Sequence, residues 1–267
     1  MKRIIVLLLL SLMSVGAFAK GGHKISRPVT DQISIDDDDI DKDRIALNIE
    51  QDSYIFNQTQ YINPMLTYST HGWDIGIAAQ NILEYEHTSS SQSAQNFTND
   101  TYLNISKTFK YEDLYGLSDE WSDKLDFLST TFGSQTGTVF PMSTSVSPGH
   151  LDSSTIHQFY FIDTDAEILK DKVSVHYGPY YSNAALTTTT SYFGWQGGME
   201  VMLIHKKLKL DLTEYSGHSN VSGSVFTLTW ICNKNVELFT GMGLAAHNSG
   251  NYNYAITGIN LIKLFEK

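Results

Sequence analysis

One stretch decides the fold: Phe193-Gly194-Trp195-Gln196-Gly197-Gly198-Met199-Glu200-Val201-Met202-Leu203-Ile204-His205-Lys206-Lys207-Leu208-Lys209-Leu210-Asp211-Leu212-Thr213. In its first half Phe193, Trp195, Met199, Val201 and Leu203 alternate with Gly194, Gln196, Gly198 and Glu200. After a break at Lys206, Leu208, Leu210 and Leu212 alternate with Lys209, Asp211 and Thr213. Successive side chains on a β-strand point to opposite faces, so each half carries one apolar face and one polar or small face. A period of two marks strands, whereas a helix would repeat its apolar residues at three and four.

The same rhythm runs outward in both directions. Trp73, Ile75, Ile77 and Ala79 alternate with Asp74, Gly76, Ala78 and Gln80. Leu103, Ile105, Phe109 and Tyr111 alternate with Asn104, Ser106, Thr108 and Lys110, with Lys107 an exception on the apolar face. Val173, Val175, Tyr177, Pro179 and Tyr181 alternate with Ser174, His176, Gly178, Tyr180 and Ser182. The pattern predicts twelve strands, at about 44–56, 61–70, 73–82, 101–111, 124–140, 155–169, 172–186, 192–205, 207–217, 223–232, 236–247 and 253–264. Gln51 and Ser53 interrupt the apolar face of the first. Pro64 and Pro179 point to bulges or strand ends, because proline cannot donate to the ladder.

The joints between these strands supply a second pattern. Alternate joints fall at His71-Gly72, 112–123, Lys170-Asp171, Lys206 and Asn233-Lys234-Asn235, and four of the five are tight turns. The 112–123 stretch is long enough for a helical turn around Leu117 to Trp121. The other set includes the two longest loops, 83–100 and 141–154. Short turns on one side and long loops on the other are the pattern of an up-and-down transmembrane barrel. From Arg44 onward every Lys and Arg also maps near the short-turn end, where it would meet anionic lipid head groups.

The N-terminus reads as an export signal. Lys2 and Arg3 precede an apolar run from Ile4, and Ala17-Phe18-Ala19 offers small residues at the cleavage positions. The run is shorter than the roughly 20 residues of a spanning helix. This predicts a signal peptide over 1–19, a flexible acidic arm over 20–43 and a barrel over 44–267. The run Asp36-Asp37-Asp38-Asp39 lies in the arm; it lacks the glycine of a calcium-binding EF-hand loop and reads as solvated chain. The formal charge is −11, or −13 once Lys2 and Arg3 are removed, which opposes nucleic-acid binding. Cys232 is the single cysteine, so no intramolecular disulfide forms.

With these features the chain resembles the Gram-negative outer-membrane β-barrel class, in its porin-like form. Tyr68, Trp73, Tyr111, Phe193, Trp195 and Trp230 sit near strand ends, as interfacial aromatic girdles do. The segment from Tyr254 to Phe265 looks like a C-terminal strand of that class, although Glu266-Lys267 follow the aromatic residue that assembly machinery reads. The resemblance implies outer-membrane location and contacts with lipid and lipopolysaccharide. It also implies handling by periplasmic chaperones and the barrel assembly machinery.

The polar faces carry the functional expectation. With the apolar faces toward lipid, Asn63, Asp74, Asn104, Lys110, His176, Glu200, Lys209, Asp211 and Glu237 face the lumen. This favours a channel for small polar solutes. The alternative is a non-conducting structural or surface-interaction (adhesin-like) barrel, suggested by the Ser/Thr/Asn-rich outer loops. An outer-membrane lipid hydrolase ranks below both. Tyr181-Ser182-Asn183 has residue types of such enzymes, but His176 lies six residues from Ser182, near 20 Å along a strand at about 3.3 Å per residue. In His218-Ser219-Asn220 adjacent residues face opposite ways on a strand. His87, His150, His157, His218 and His247 map near the outer end without metal-ligand spacing. No catalytic residue, metal site or cofactor is therefore assigned.

Overall fold

The computed structural model describes residues 43–54, 59–80, 85–86, 99–111, 128–140, 156–183, 193–217, 222–246 and 253–265. The expected signal peptide and nearly all of the acidic arm lie outside the described residues. So do most of the 83–100 and 112–123 stretches, the 141–154 loop and the 218–220 triplet.

Among the described residues thirteen strands follow in order: β1 (Arg44–Tyr54), β2 (Thr59–Thr70), β3 (Trp73–Gln80), β4 (Tyr85–Glu86), β5 (Asn99–Lys110), β6 (Leu128–Phe140) and β7 (Ile156–Leu169). They continue with β8 (Val173–Ser182), β9 (Phe193–Ile204), β10 (Leu208–Tyr215), β11 (Gly223–Asn233), β12 (Val236–Ala245) and β13 (Tyr254–Leu264). Twelve of them form the wall, each antiparallel to its neighbours. The two-residue β4, which the alternation does not show, pairs among the described residues with Thr59 and Gln60 of β2. β1 pairs with β2 on one side and with β13 on the other, Arg44 opposite Leu264 and Tyr54 opposite Tyr254. This contact closes the sheet, so the wall has no open edge. A closed sheet satisfies its own backbone groups, which a membrane interior requires.

The register shows the barrel's stagger. The row from Tyr54 crosses Tyr254, Gly243, Val225, Thr213, Gly198, His176, Asp165 and Ser129 to Lys110. It starts at the loop end of β1 and finishes at the turn end of β5. Strands must therefore tilt, as they do by about 35–45° in membrane barrels.

The two faces keep their identities around the whole ring. Leucine, isoleucine and tryptophan rows stay outside: Ile77 is 60% exposed, Trp195 50% and Phe193 73%. Two stacked sheets would have buried these rows against each other. The inward faces hold three apolar clusters instead: Phe159, Phe161, Tyr180 and Tyr215; Met65, Ala78 and Tyr102; and Val225, Phe239 and Ile256 with Tyr254 beside them.

Inward rings are matched to inward glycines on the next strand. Phe161 is in register with Gly133, Tyr180 with Gly194, Phe239 with Gly258 and Tyr254 with Gly243. A Cβ on any of these glycines would overlap the facing ring. The glycines interspersed among the polar residues are therefore the floor on which aromatic side chains lie flat. The ring recovers contact area that a bare glycine forfeits in a sheet.

The turn end matches its sequence signals. His71 and Gly72 both have positive φ, 47° and 73°, the two-residue hairpin geometry whose twist suits flanking strands. Asp171 and Lys206 take positive φ in the next two turns. Every described Lys and Arg lies at or near this end. Lys107, the exception on the apolar face, passes over the rings of Trp73 and Phe109 at 5.6 and 5.4 Å and donates to the His71 carbonyl. Its stem covers apolar surface while its ammonium reaches the interface. Pro64 and Pro179 both remain inside strands, facing outward. The β7–β8 ladder passes from Phe161↔Tyr180 to Thr164↔Tyr177, and its pairing lapses at Gly178 and Pro179. At the opposite end Tyr177 stacks on Trp195 with centroids 5.1 Å apart, and Tyr181 meets Phe193 at 5.1 Å, an aromatic belt on the outer surface.

Candidate functional site: the barrel interior

Register places all nine expected lumen residues on the inward faces, and the structure gathers several of them into polar groups. Lys209, from β10, is buried and holds Glu200 of β9 at 2.9 Å and Asp211 of its own strand at 3.4 Å. Glu200 and Asp211 face each other in register, and Lys209 sits one step nearer the turn end. Two carboxylates this close repel, and the ammonium between them offsets that repulsion.

A second group spans the closing seam. Asn48 of β1 donates to Asn260 of β13 at 2.5 Å, and Asn260 donates to Glu237 of β12 at 3.0 Å. All three residues are buried. Near the turn end Arg44 donates to Ser69 at 2.9 Å and lies 3.4 Å from Asp74, which also accepts from Ser69. Closer to the loops, Asn63 donates to Asp52 at 2.9 Å, with Glu50 opposite Asn63 in register.

Across the barrel, His176 of β8 pairs through Nδ1 with Asp163 of β7 at 2.7 Å and faces Asp165 in register. Gly198, opposite His176, leaves room for its imidazole. Asn104 donates weakly to the Met65 sulfur at 3.6 Å. Lys110 faces inward at the turn-end mouth, in register with Ser129. Glu167 faces inward at the same mouth, where it accepts from the Asp171 amide at 2.5 Å.

The groups do not converge on one cleft; they are spread around the wall. Among the inward residues whose side chains are described, nine carboxylates (Glu50, Asp52, Asp74, Asp163, Asp165, Glu167, Glu200, Asp211 and Glu237) meet three fixed cations (Arg44, Lys110 and Lys209). With His176 neutral the balance is 3 − 9 = −6. Glu50, Asp52, Asp163 and Glu237 are buried, and the other five carboxylates are partly exposed. The Arg44 and Lys209 side chains are 6% and 3% exposed, whereas those of Asp74, Glu200 and Asp211 are 31%, 37% and 18% exposed.

Ser182 and His176 are not brought together. Ser182 is buried opposite Phe159, His176 is engaged by Asp163, and Tyr180 intervenes on the same face. Among the described residues no group of three His, Cys, Asp or Glu has metal-binding geometry. His87, His150, His218 and His247 lie outside the described residues.

Several inward residues were missed by sequence reasoning. Arg44, Asn48 and Asn260 acquire meaning only when the first and last strands meet. Gln135, Ser182 and Gln196 flank the Phe159 aromatic cluster, and the Gln135 amide nitrogen, the Ser182 hydroxyl and both polar atoms of the Gln196 amide are buried with no hydrogen-bond partner among the described residues. Their position on the small face was legible, but their depth was not.

No family model and no curated protein matches this sequence. Solved structures align with most of its length. The KdgM porin in complex with disordered oligogalacturonate aligns with a TM-score of 0.47 at 13% identity, over 82% of this chain and 98% of that one. The Salmonella typhi outer membrane phospholipase dimer with bound calcium aligns at 0.44 and 12%, over 84% and 91%. Outer membrane phospholipase A from Escherichia coli aligns at 0.44 and 13%, over 85% and 90%. The chain is a closed twelve-stranded antiparallel β-barrel. Its outward face is apolar and its inward face carries the polar groups. Fold alone does not decide function, which is argued from the interior.

Proposed function

We propose that this outer-membrane barrel is a channel for small polar solutes. The observation that carries the reading is the partial exposure of the Asp74, Glu200 and Asp211 carboxylates on inward faces. Charged side chains that stay accessible inside a barrel mark a hydrated interior, and hydrated, charge-lined interiors pass small solutes. Lipid and lipopolysaccharide would contact the outward leucine, isoleucine and tryptophan rows. Purified protein reconstituted in planar bilayers is expected to give discrete, reproducible conductance steps. Their absence, in protein whose β-signal and heat-modifiable migration show it folded, would contradict the channel.

A second reading, a non-conducting structural or surface-interaction barrel, is favoured by the three inward apolar clusters and the buried amide seam. Side chains that fill a barrel make a packed core rather than a pore. The same recording separates the two: silent, folded barrels support the second reading.

A further inference from the structure

We propose that the interior favours cations and repels anions, with Glu200 and Asp211 as the accessible charges that set the preference. This rests on the channel reading and adds the class of solute to it. Two observations carry it. The first is the balance of −6 among the described inward side chains, whose carboxylates are spread over β1, β3, β7, β9, β10 and β12 rather than confined to one cluster. The second is the unequal access of the two signs where they pair. Arg44 and Lys209 are buried and committed to carboxylates, and Lys110 is confined to the turn-end mouth. The carboxylates facing them remain partly open.

Past the turn-end mouth a solute therefore meets the accessible carboxylates of Glu200 and Asp211, while the Lys209 ammonium between them is buried. Low-dielectric walls focus such a field, and rings of Asp and Glu line cation-selective pores. Lys209 offsets one of its two carboxylate neighbours and leaves a net charge of −1 at that level. Its burial also explains why the lysine does not simply cancel the site: an ammonium held under Glu200 and Asp211 presents their outer oxygens to the lumen. The same field would repel a polyanion such as oligogalacturonate, the ligand of the KdgM porin structure.

The test is the reversal potential of the full-length protein in a planar bilayer under a potassium chloride gradient. Cation flow should set its sign at low salt. The preference should fade toward 1 M salt, where the screening length shrinks to about 3 Å. Glu200→Gln with Asp211→Asn should move the cation-over-anion permeability ratio toward one by roughly 3-fold or more. Asp211→Asn alone, which keeps the Lys209–Glu200 pair, should shift it in the same direction and serves if the double variant does not assemble. Glu214→Gln, on the outward face of β10 opposite Gly197 and Ser224, should leave the ratio unchanged. Conductance with anion preference, or with a ratio indifferent to Asp211→Asn, would overturn the selectivity proposal while leaving the channel standing. Loss of all conductance in the unaltered protein would remove the channel itself.

Discussion

Lys209 shows how a buried pair can be costly to break without contributing much net stability. Its ammonium is buried, and burial of a charge is costly unless partners replace water. Glu200 and Asp211 do so at 2.9 and 3.4 Å. Removing it leaves two facing carboxylates with no cation between them. Lys209→Met is expected to lower stability by about 3–5 kcal/mol, the range for breaking one side of a buried pair. The midpoint of guanidinium unfolding in detergent micelles measures this, and an unchanged midpoint would contradict the pairing. Gly194 makes the complementary case by having no side chain. A Cβ there would overlap the Tyr180 ring and press on the Ser216 carbonyl oxygen. Gly194→Val should therefore cost about 1–3 kcal/mol through overpacking, read by the temperature at which the folded band disappears on a gel.

At the scale of strands, the sequence showed much of the architecture because period-two alternation depends only on neighbours along the chain. Trp73 to Gln80 and Leu208 to Thr213 declare their two faces with no knowledge of their partners. The tight turns at His71-Gly72 and Lys206 were legible because short polar or glycine-containing breaks leave few ways to reverse a strand. Boundaries were less legible: 216–217 belong to no strand, while β2 and β5 each begin two residues earlier than the alternation suggests. Those ends are set by where the neighbouring strand stops, which is tertiary information. The interior networks were invisible for the same reason. Asn48 and Asn260 lie 212 positions apart, and only closure makes them neighbours. Asn260→Leu would remove one buried hydrogen-bond partner from each of Asn48 and Glu237. The expected loss is about 1–3 kcal/mol for each group left without its partner. Asn260→Asp alongside it distinguishes lost hydrogen bonding from lost volume. Equal stability of all three proteins would show that the seam network contributes nothing.

For the whole molecule, every statement about lipid, lumen and selectivity depends on closure. The pairing of β1 with β13 fixes which face is inside for all twelve wall strands, because the inward parity is carried without a break from Arg44 around to Leu264. An open sheet with the same alternation would expose the backbone of two edges and could not sit in a membrane. It would also dissolve the charge asymmetry, since inward groups would no longer share one interior. Gln51 and Thr257 are opposed across the seam on the outward face. Directly opposite residues in antiparallel strands have Cα atoms about 4.5–5.5 Å apart, within the span a disulfide bridges. The decisive measurement is oxidation of Gln51→Cys with Thr257→Cys in a Cys232→Ser background, in assembled protein. The account predicts an intramolecular disulfide, seen as faster migration of the denatured monomer and reversed by reductant. Free thiols, or cross-links only between molecules, would contradict a closed barrel and everything built on it.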